Sequence, residues 1–513
     1  MSFYLINATM KICFLLQRRF AYIGWEMANL LEEKYGVHEF SGYVSMRTGF
    51  DFIKKHSTPR FSPLVLDQEI HARYKNEIID PEFIKKLEED FGLPNLWPYL
   101  ELDRIIRSGQ LIRAYPYDTP LYDHEDMIRL VQVTAKAINK LLDEAKPEVI
   151  IFSVVGALYG LMLYAMAKKR GIKTLVIHCG RVGAKHTLSE DFHSFSYVNE
   201  RFEKYQAGLA PSPADLSWAK AKLEKFRCRP EPYRAIDRPE FQPYNRRRQF
   251  SFLRPAKFIN SVTFRFKTIA AYLKDPFRSD YDNVNPFWEI WDSFKKKIRV
   301  LVGFGDFYDL PDLAEAFALY PLHREPEITT LLYAPFYKDQ LWLIKQLARS
   351  LPLNFKLYVK EHTAMVGERR RAYYQELKKI PNVKLINPEV KTFSLLQSAK
   401  LIFTISGTAG WEAVQLKKPV IIFSDIFYSR LPMVKKCVAI AELPYLVKDQ
   451  LENFKHDEAA LLNFLTALKQ ESADIELAKI WQAKNLSELK NIKAELMPLV
   501  DLTAAKLNLK PIK

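Results

Sequence analysis

Two short stretches hold residue types suited to work on an anionic group. Lys360-Glu361-His362 puts an ammonium, a carboxylate and an imidazole directly after the apolar run Leu357–Val359. Ser406-Gly407-Thr408-Ala409-Gly410 follows a second apolar run, Leu401–Ile405, and opens the helical pattern Trp411–Gln415. A Gly/Ser/Thr turn at a helix N-terminus offers unpaired N–H groups and the positive end of the helix dipole, a combination that suits phosphate. Glu412 lies just inside that helix, within reach of a ribose hydroxyl. Each feature also has a plainer reading. The turn is then only a tight connection, the histidine is structural, and Glu412 complements the helix dipole.

The elements that must carry these groups can be read from the same region. Leu357–Val359, Val383–Ile386 and Leu401–Ile405 read as buried parallel strands, and Lys418–Phe423 as the next one. Arg369–Lys379 and Trp411–Gln415 read as helices between them. Such alternation implies right-handed crossovers and helices on both faces of a parallel sheet. Ligands of open α/β sheets bind beyond the carboxyl ends of the strands, where both stretches lie.

The run VKEH…RR…PNVKLI, followed by TISGTAGWEA and KKPVIIF, resembles the C-terminal domain of capsule polysaccharide biosynthesis proteins. That family includes bacterial Kdo transferases of the GT-B fold. His323-Arg324-Glu325-Pro326-Glu327 resembles the family segment with Pro-Glu after the first strand of that domain. The resemblance covers about Val300 to Val434, and the N-terminal half only loosely. Where the family usually has His-Pro, Thr363 follows His362 here. The resemblance implies a nucleotide-sugar donor, CMP-Kdo being one, held by Ser406, Gly407, Thr408, Glu412 and Arg369. It implies His362 and Lys360 at the departing phosphate or donor carboxylate, with Glu325 and Glu327 as cleft carboxylates.

Composition bounds the rest. The 513 residues suffice for two or three domains. A 48% hydrophobic and 27% charged composition is that of a globular protein. Cys13, Cys179, Cys228 and Cys437 are far apart and show no metal spacing, so neither a zinc site nor a disulfide scaffold is expected. No metal or cofactor is expected from the sequence. No apolar run reaches the length of a membrane span, and the first twenty residues lack the pattern of a signal peptide. The expected location is cytoplasmic, peripheral on the inner face of the membrane. The net charge of +16 fits an anionic substrate, an anionic membrane surface or nucleic acid. No zinc-finger, RNA-recognition or helix-turn-helix signature favours nucleic acid.

Taken in order, Lys11–Leu16 reads as a strand and Ala21–Lys34 as a helix stopped by Gly36. Val37–Tyr43 follows as a second strand, and no GxGxxG is present. Gln17, Arg18 and Arg19 would face a cleft, or form a solvated loop. Residues 51–123 read as an irregular insertion containing the helix Pro81–Phe91. Asp126–Glu144 is a helix, Glu148–Val154 a strand, Leu161–Lys169 a helix and Thr174–Ile177 a strand. The polar stretch His178–His186 then reads as a loop that brings Arg181, Lys185 and His186 to the cleft edge, or as a structural loop. Pro211–Arg227 is a helix. Arg229–Lys257, rich in proline, basic and aromatic residues, reads as a linker or as an arm for anionic lipid. Phe258–Leu273 and Phe287–Lys297 read as helices, Arg299–Gly303 and Thr329–Ala334 as strands, and Asp339–Ser350 and Asp457–Lys469 as helices. Ile475–Leu509 reads as helical with a break at Pro498.

The expected architecture is α/β: two Rossmann-like domains facing across a cleft, the GT-B plan, with C-terminal helices crossing back onto the first domain. The expected parts are an N-terminal acceptor domain (1–227, insertion near 51–123), a basic linker with helices (228–298), a nucleotide-sugar domain (299–440) and C-terminal helices (441–513). The expected activity is metal-independent glycosyl transfer from a nucleotide-sugar to a polysaccharide or lipid-linked glycan. A UDP-sugar 2-epimerase-like isomerase and a basic scaffold for membrane or nucleic acid are the alternatives.

Overall fold

The computed structural model describes residues 10–56, 58–91, 95–109, 120–230, 250–481 and 492–512. Two separate sheets organise them. The first contains β1 (Lys11–Leu16), β2 (Glu39–Val44), β3 (Phe61–Leu66), β4 (Val149–Phe152), β5 (Lys173–Cys179) and β6 (Lys185–Ser189). The second contains β7 (Phe317–Pro321), β8 (Lys356–Lys360), β9 (Val383–Ile386), β10 (Leu401–Thr404), β11 (Val420–Ile422) and β12 (Val434–Lys436). A last short strand, β13 (Ser472–Asp474), returns to the first sheet.

The strand orders are β3-β2-β1-β4-β5-β6-β13 and β9-β8-β7-β10-β11-β12. The second sheet is parallel throughout, and the first is parallel from β3 to β5. Each has the doubly wound order of a Rossmann-like domain, with its switch point between β1 and β4 or between β7 and β10. The central strands Ile12–Leu16, Val149–Phe152 and Leu401–Thr404 are buried on both faces, as continuous apolar runs under two helical layers should be.

Most expected elements stand where the apolar pattern put them, among them Lys11–Leu16, Pro81–Phe91 and Val383–Ile386. Others differ. Arg299–Gly303 is not a strand but the end of the helix Pro286–Val302. Its Arg-Val-Leu-Val run looks β-branched in isolation, and a short apolar run does not distinguish strand from helix end. The first strand of the second sheet is instead Phe317–Pro321. Thr329–Ala334 forms no strand either; it begins inside the short helix Ile328–Leu331 and continues as a turn. The polar stretch His178–His186 is a hairpin rather than a loop: β5 runs through Cys179 and pairs antiparallel with β6, with Cys179 opposite His186. The helices Ser196–Gln206 and Pro213–Cys228 lie before the expected boundary at 227, yet they share a core with the second sheet, Val198 and Leu223 joining Trp411 and Phe464.

The C-terminal segment crosses back onto the first domain. After β13 come the helices Leu477–Trp481 and Lys493–Lys506. Residues 482–491 of the expected long helix, and residues 231–249 of the basic arm, lie outside the described residues. Pro498 is accommodated inside the second of these helices and does not break it. Leu496, Leu499 and Val500 enter the first core beside Met27 and Leu31. Asp501 accepts hydrogen bonds from Lys34 Nζ (2.7 Å) and Tyr35 Oη (2.8 Å). Leu499 is fully buried. Leu499→Ala is therefore expected to cost about 2–5 kcal/mol, measured as a shift in the urea midpoint; a tail packed only on itself would show almost none of this.

Candidate functional site between the two switch points

The carboxyl ends of the central strands of both sheets meet. Gly156, beyond β4, lies so close to the second domain that a Cβ there would sit 2.6 Å from Ile328 Cδ1. Nearby, Tyr333 Oη donates to Phe192 O (3.1 Å), and Lys338 pairs with Glu101.

On the first-domain side several polar atoms are left over. Gln17, beyond β1, donates from Nε2 to Gly156 O (3.0 Å), but its Oε1 is buried without a hydrogen-bond partner. Ser153 Oγ and Arg104 Nε are also buried without one. Asp103 fixes this corner. Its Oδ1 accepts from the N–H groups of Ile105 (2.9 Å) and Ile106 (3.0 Å), and its Oδ2 from Leu158 N–H (3.0 Å). One carboxylate thus caps both the Arg104 helix and the helix after β4. The backbone is strained at the same place: Arg18 has φ 46° and Ala157 has φ 68° with ψ 161°. Non-glycine residues adopt such conformations only where the surroundings impose them.

Charge converges there too. Burial, and then the charges of Arg324 and Arg18, push Arg104 down to about 10. Glu327 acts on the same group in the opposite sense. Arg324 and Glu327 are exposed, while Arg104 is half-buried. Burial and the charges of Arg369, Arg324 and Lys360 bring His362 down to about 4, so its ring is neutral at pH 7. Its Nδ1 accepts from Ala364 N–H (3.2 Å), leaving the proton on Nε2.

On the second-domain side the Ser406–Thr408 turn is held from below by His323. That ring is buried and brought down to about 3, chiefly by burial, and its Nε2 accepts from Ile405 N–H (3.0 Å). Gln340 clasps the His323 backbone on both sides, accepting its N–H (2.7 Å) and donating to its carbonyl (3.2 Å). Gly407 is required here: a Cβ would sit 2.7 Å from Thr404 Oγ1 and 3.0 Å from His323 Cε1. Gly407 N–H is used by Thr404 Oγ1 (2.9 Å), and Ser406 Oγ donates to Thr329 O (3.1 Å). The first turn of the helix Thr408–Gln415 opens beyond them, with N–H groups that have no partner inside the helix.

The other expected site residues are placed differently. Arg369 is fully buried, paired with Glu361 (2.5 Å) and Glu325 (2.8 Å), and donates to His323 O (2.7 Å). It is an internal strut rather than an open cleft residue. Glu325 is its buried partner rather than an open cleft carboxylate. Lys360 is buried and donates to Pro388 O (3.2 Å), burial bringing it down to about 8. Glu412 is buried, its charge felt at Tyr428, whose hydroxyl donates to Gly407 O (2.9 Å). Lys185 pairs with Asp474 (2.7 Å), and His186 contacts Ala184 O (3.1 Å); both are buried in the sheet under β13 rather than lining the cleft. Arg181 sits at the hairpin turn, and its charge reaches Tyr333. Arg19 turns away and donates to Trp481 O (3.1 Å). Arg104 and Gln340 were not singled out in the sequence, and His323 appeared there only as the first residue of the family segment. Arg104 lay in a stretch without regular pattern, and the other two act through contacts between distant segments.

A second buried cluster lies beyond β3. Asp67 accepts from Tyr43 Oη (2.5 Å) and from Tyr281 Oη, which arrives from the connector between the helices Pro255–Lys274 and Pro286–Val302. Tyr281 also stacks on His71 with ring centroids 3.8 Å apart. Burial raises Asp67 to about 7. Both its oxygens are occupied, so it clamps the connector onto the first domain.

Two doubly wound, mainly parallel domains with opposed switch points define the GT-B class of architecture. Residues 333–433 match the family model described as capsule polysaccharide biosynthesis protein. That match bears out the resemblance read from the sequence over this segment. No curated protein sequence matches the chain. Among solved structures, the chain is similar to a beta Kdo 2,7 transferase, KpsC of Thermosulfurimonas dismutans, at 11% identity and a TM-score of 0.35, covering 71% of this chain and 89% of that one. It is similar to that organism's KpsC beta Kdo 2,4 transferase at 16% identity and a TM-score of 0.32, covering 64% and 82%. It is also similar to the UDP-GlcNAc 2-epimerase of Methanocaldococcus jannaschii at 14% identity and a TM-score of 0.25, covering 90% and 98%.

Arg369→Ala would strand two buried carboxylates and is expected to cost about 3–5 kcal/mol, read by chemical denaturation. Asp67 gives a pH signature. Its carboxyl rises from an ordinary value of 3.8 to about 7 on folding, so the native state holds a proton that the unfolded state lacks between those values. Its contribution therefore falls as pH rises through that window. Asp67→Asn should remove that part of the decline, which stability curves of both proteins at pH 5 and pH 8 would compare.

Proposed function

We propose that the chain is a glycosyltransferase of the capsule polysaccharide type, moving a sugar from a nucleotide donor to a glycan acceptor in the cleft between the two switch points. The observation that carries this reading is the convergence of Arg18, Arg104, Arg324 and neutral His362 on the cleft. Such a cluster suits the phosphate and carboxylate groups of an activated acidic sugar, with CMP-Kdo as the donor that the family resemblance favours. Arginine forks bind pairs of carboxylate or phosphate oxygens in two-point fashion.

In this reading the Thr408 helix N-terminus and the arginines stabilise the charge that builds on the departing phosphate. His362 Nε2–H donates a hydrogen bond to the same group. The acceptor enters from the first domain, where Gln17 Oε1 and Ser153 Oγ await polar partners. Glu327 is the exposed carboxylate whose charge is felt at Arg104, and it takes the proton of the attacking hydroxyl. The family description supports a polysaccharide acceptor.

Thermal shift against CMP, UDP, GDP and dTDP tests the donor. A nucleotide at a hundredfold excess over its Kd should add about 2.7 kcal/mol. CMP alone should stabilise the protein, and Arg324→Ala should remove the effect without changing the melting of the free protein, because Arg324 is exposed. Stabilisation by UDP with consumption of a UDP-sugar in the absence of acceptor would replace this reading with an epimerase. Silence toward all four nucleotides would overturn it. Glu327→Gln should retain nucleotide binding and lose about a hundredfold or more in kcat.

A further inference from the structure

The helices Pro255–Lys274 and Pro286–Val302 form a hairpin that leaves an unusual amount of apolar surface in the open. In the second helix Phe287, Trp291, Phe294, Ile298 and Leu301 recur at intervals of four, three, four and three, which aligns them in one stripe. All five are between 44% and 54% exposed. In the first helix no residue is buried, and Ile259, Val262, Phe266 and Leu273 form a second exposed stripe. Together they exceed the scattered apolar exposure normal for a globular surface.

The polar residues around the stripes say what covers them. The first helix carries Lys257, Arg265, Lys267 and Lys274 and no acidic residue. Lys295 lies over the Trp291 ring at 5.2 Å, its stem along the aromatic face. A second copy of the same hairpin would bring like charges together, whereas an anionic surface complements them. Aromatic and aliphatic stripes edged by lysine and arginine are the pattern of helices lying in the headgroup region of a bilayer. No helix among the described residues is long and apolar enough to cross a membrane, so the hairpin would lie on the surface.

We propose that this hairpin docks the protein on an anionic lipid bilayer. It is tied to both domains. Tyr281 Oη donates to Asp67 in the first, Lys296 pairs with Glu368 in the second, and Arg299 donates to Glu368 O (2.6 Å). Arg265 donates to Ser293 Oγ (2.9 Å) and joins the two helices. Docking thus fixes the orientation of both domains relative to the lipid.

The test is flotation of the full chain with phosphatidylcholine vesicles, with and without phosphatidylglycerol, in the absence of any nucleotide, so its outcome is separate from that of the transferase reading. The protein should float only with the anionic vesicles. Trp291→Ser combined with Phe294→Ser should reduce the bound fraction about tenfold, and Lys267→Glu combined with Lys274→Glu should do the same. These side chains are exposed, so unchanged thermal melting will confirm folded variants. Three results would each overturn the proposal: no flotation of the wild type at low salt, flotation unaffected by either variant, or a dimer dispersed by Trp291→Ser and Phe294→Ser with no vesicle binding.

Discussion

The buried guanidinium of Arg369 holds the second domain's site together. It joins Glu361 at the end of β8 to Glu325 and His323 O in the segment after β7. Tyr374 adds a hydroxyl to the far side of Glu361 (2.6 Å). Such a buried arrangement adds little net stability, because desolvation of three charges offsets their attraction. What it does is fix geometry. With the His323 carbonyl held, the ring reaches under Ile405, and the Ser406–Thr408 turn stands at a defined height above the sheet. His362, next in sequence to Glu361, is placed by the same anchor.

A comparable economy operates in the first domain. Asp103 caps two helices at once, and the strained Ala157 lies beside the N–H it accepts. Strain in Arg18 and Ala157, with the orphaned atoms of Gln17, Ser153 and Arg104, marks a place whose conformation is imposed by surrounding packing. The opposing surface at Ile328 is in contact, so the two switch points form one cleft. The domains are also linked through chain crossing. Helices 196–228 pack into the second core, while β13 and the Lys493 helix pack into the first. The first domain is therefore completed by residues that lie beyond the second in sequence.

The strands and most helices were legible in the sequence because fully buried parallel strands read as unbroken apolar runs and helices as periodic ones. Ser406–Thr408 and His362 could be placed at the carboxyl edge of the second sheet because each directly follows an apolar run that folds as a strand. The edges of the pattern misled where local preference is ambiguous. Arg299–Gly303 has strand-like residues yet ends a helix, and polar His178–His186 folds as a hairpin because β13 arrives to cover β6.

The sequence by itself determined two doubly wound sheets, the carboxyl edge at which both candidate stretches lie, and a family resemblance carried by residues of the second one. Charge state and partnership were decided only by the tertiary structure. Arg369 and Glu325 look like ligand-binding residues until folding buries them against each other, and Lys185 until Asp474 returns from nearly three hundred residues away. Arg104 looks like nothing until Arg18 and Arg324 stand near it. The reason is physical: apolar periodicity is a local property of the chain, whereas the desolvation and pairing of a charge depend on which distant segment lies against it.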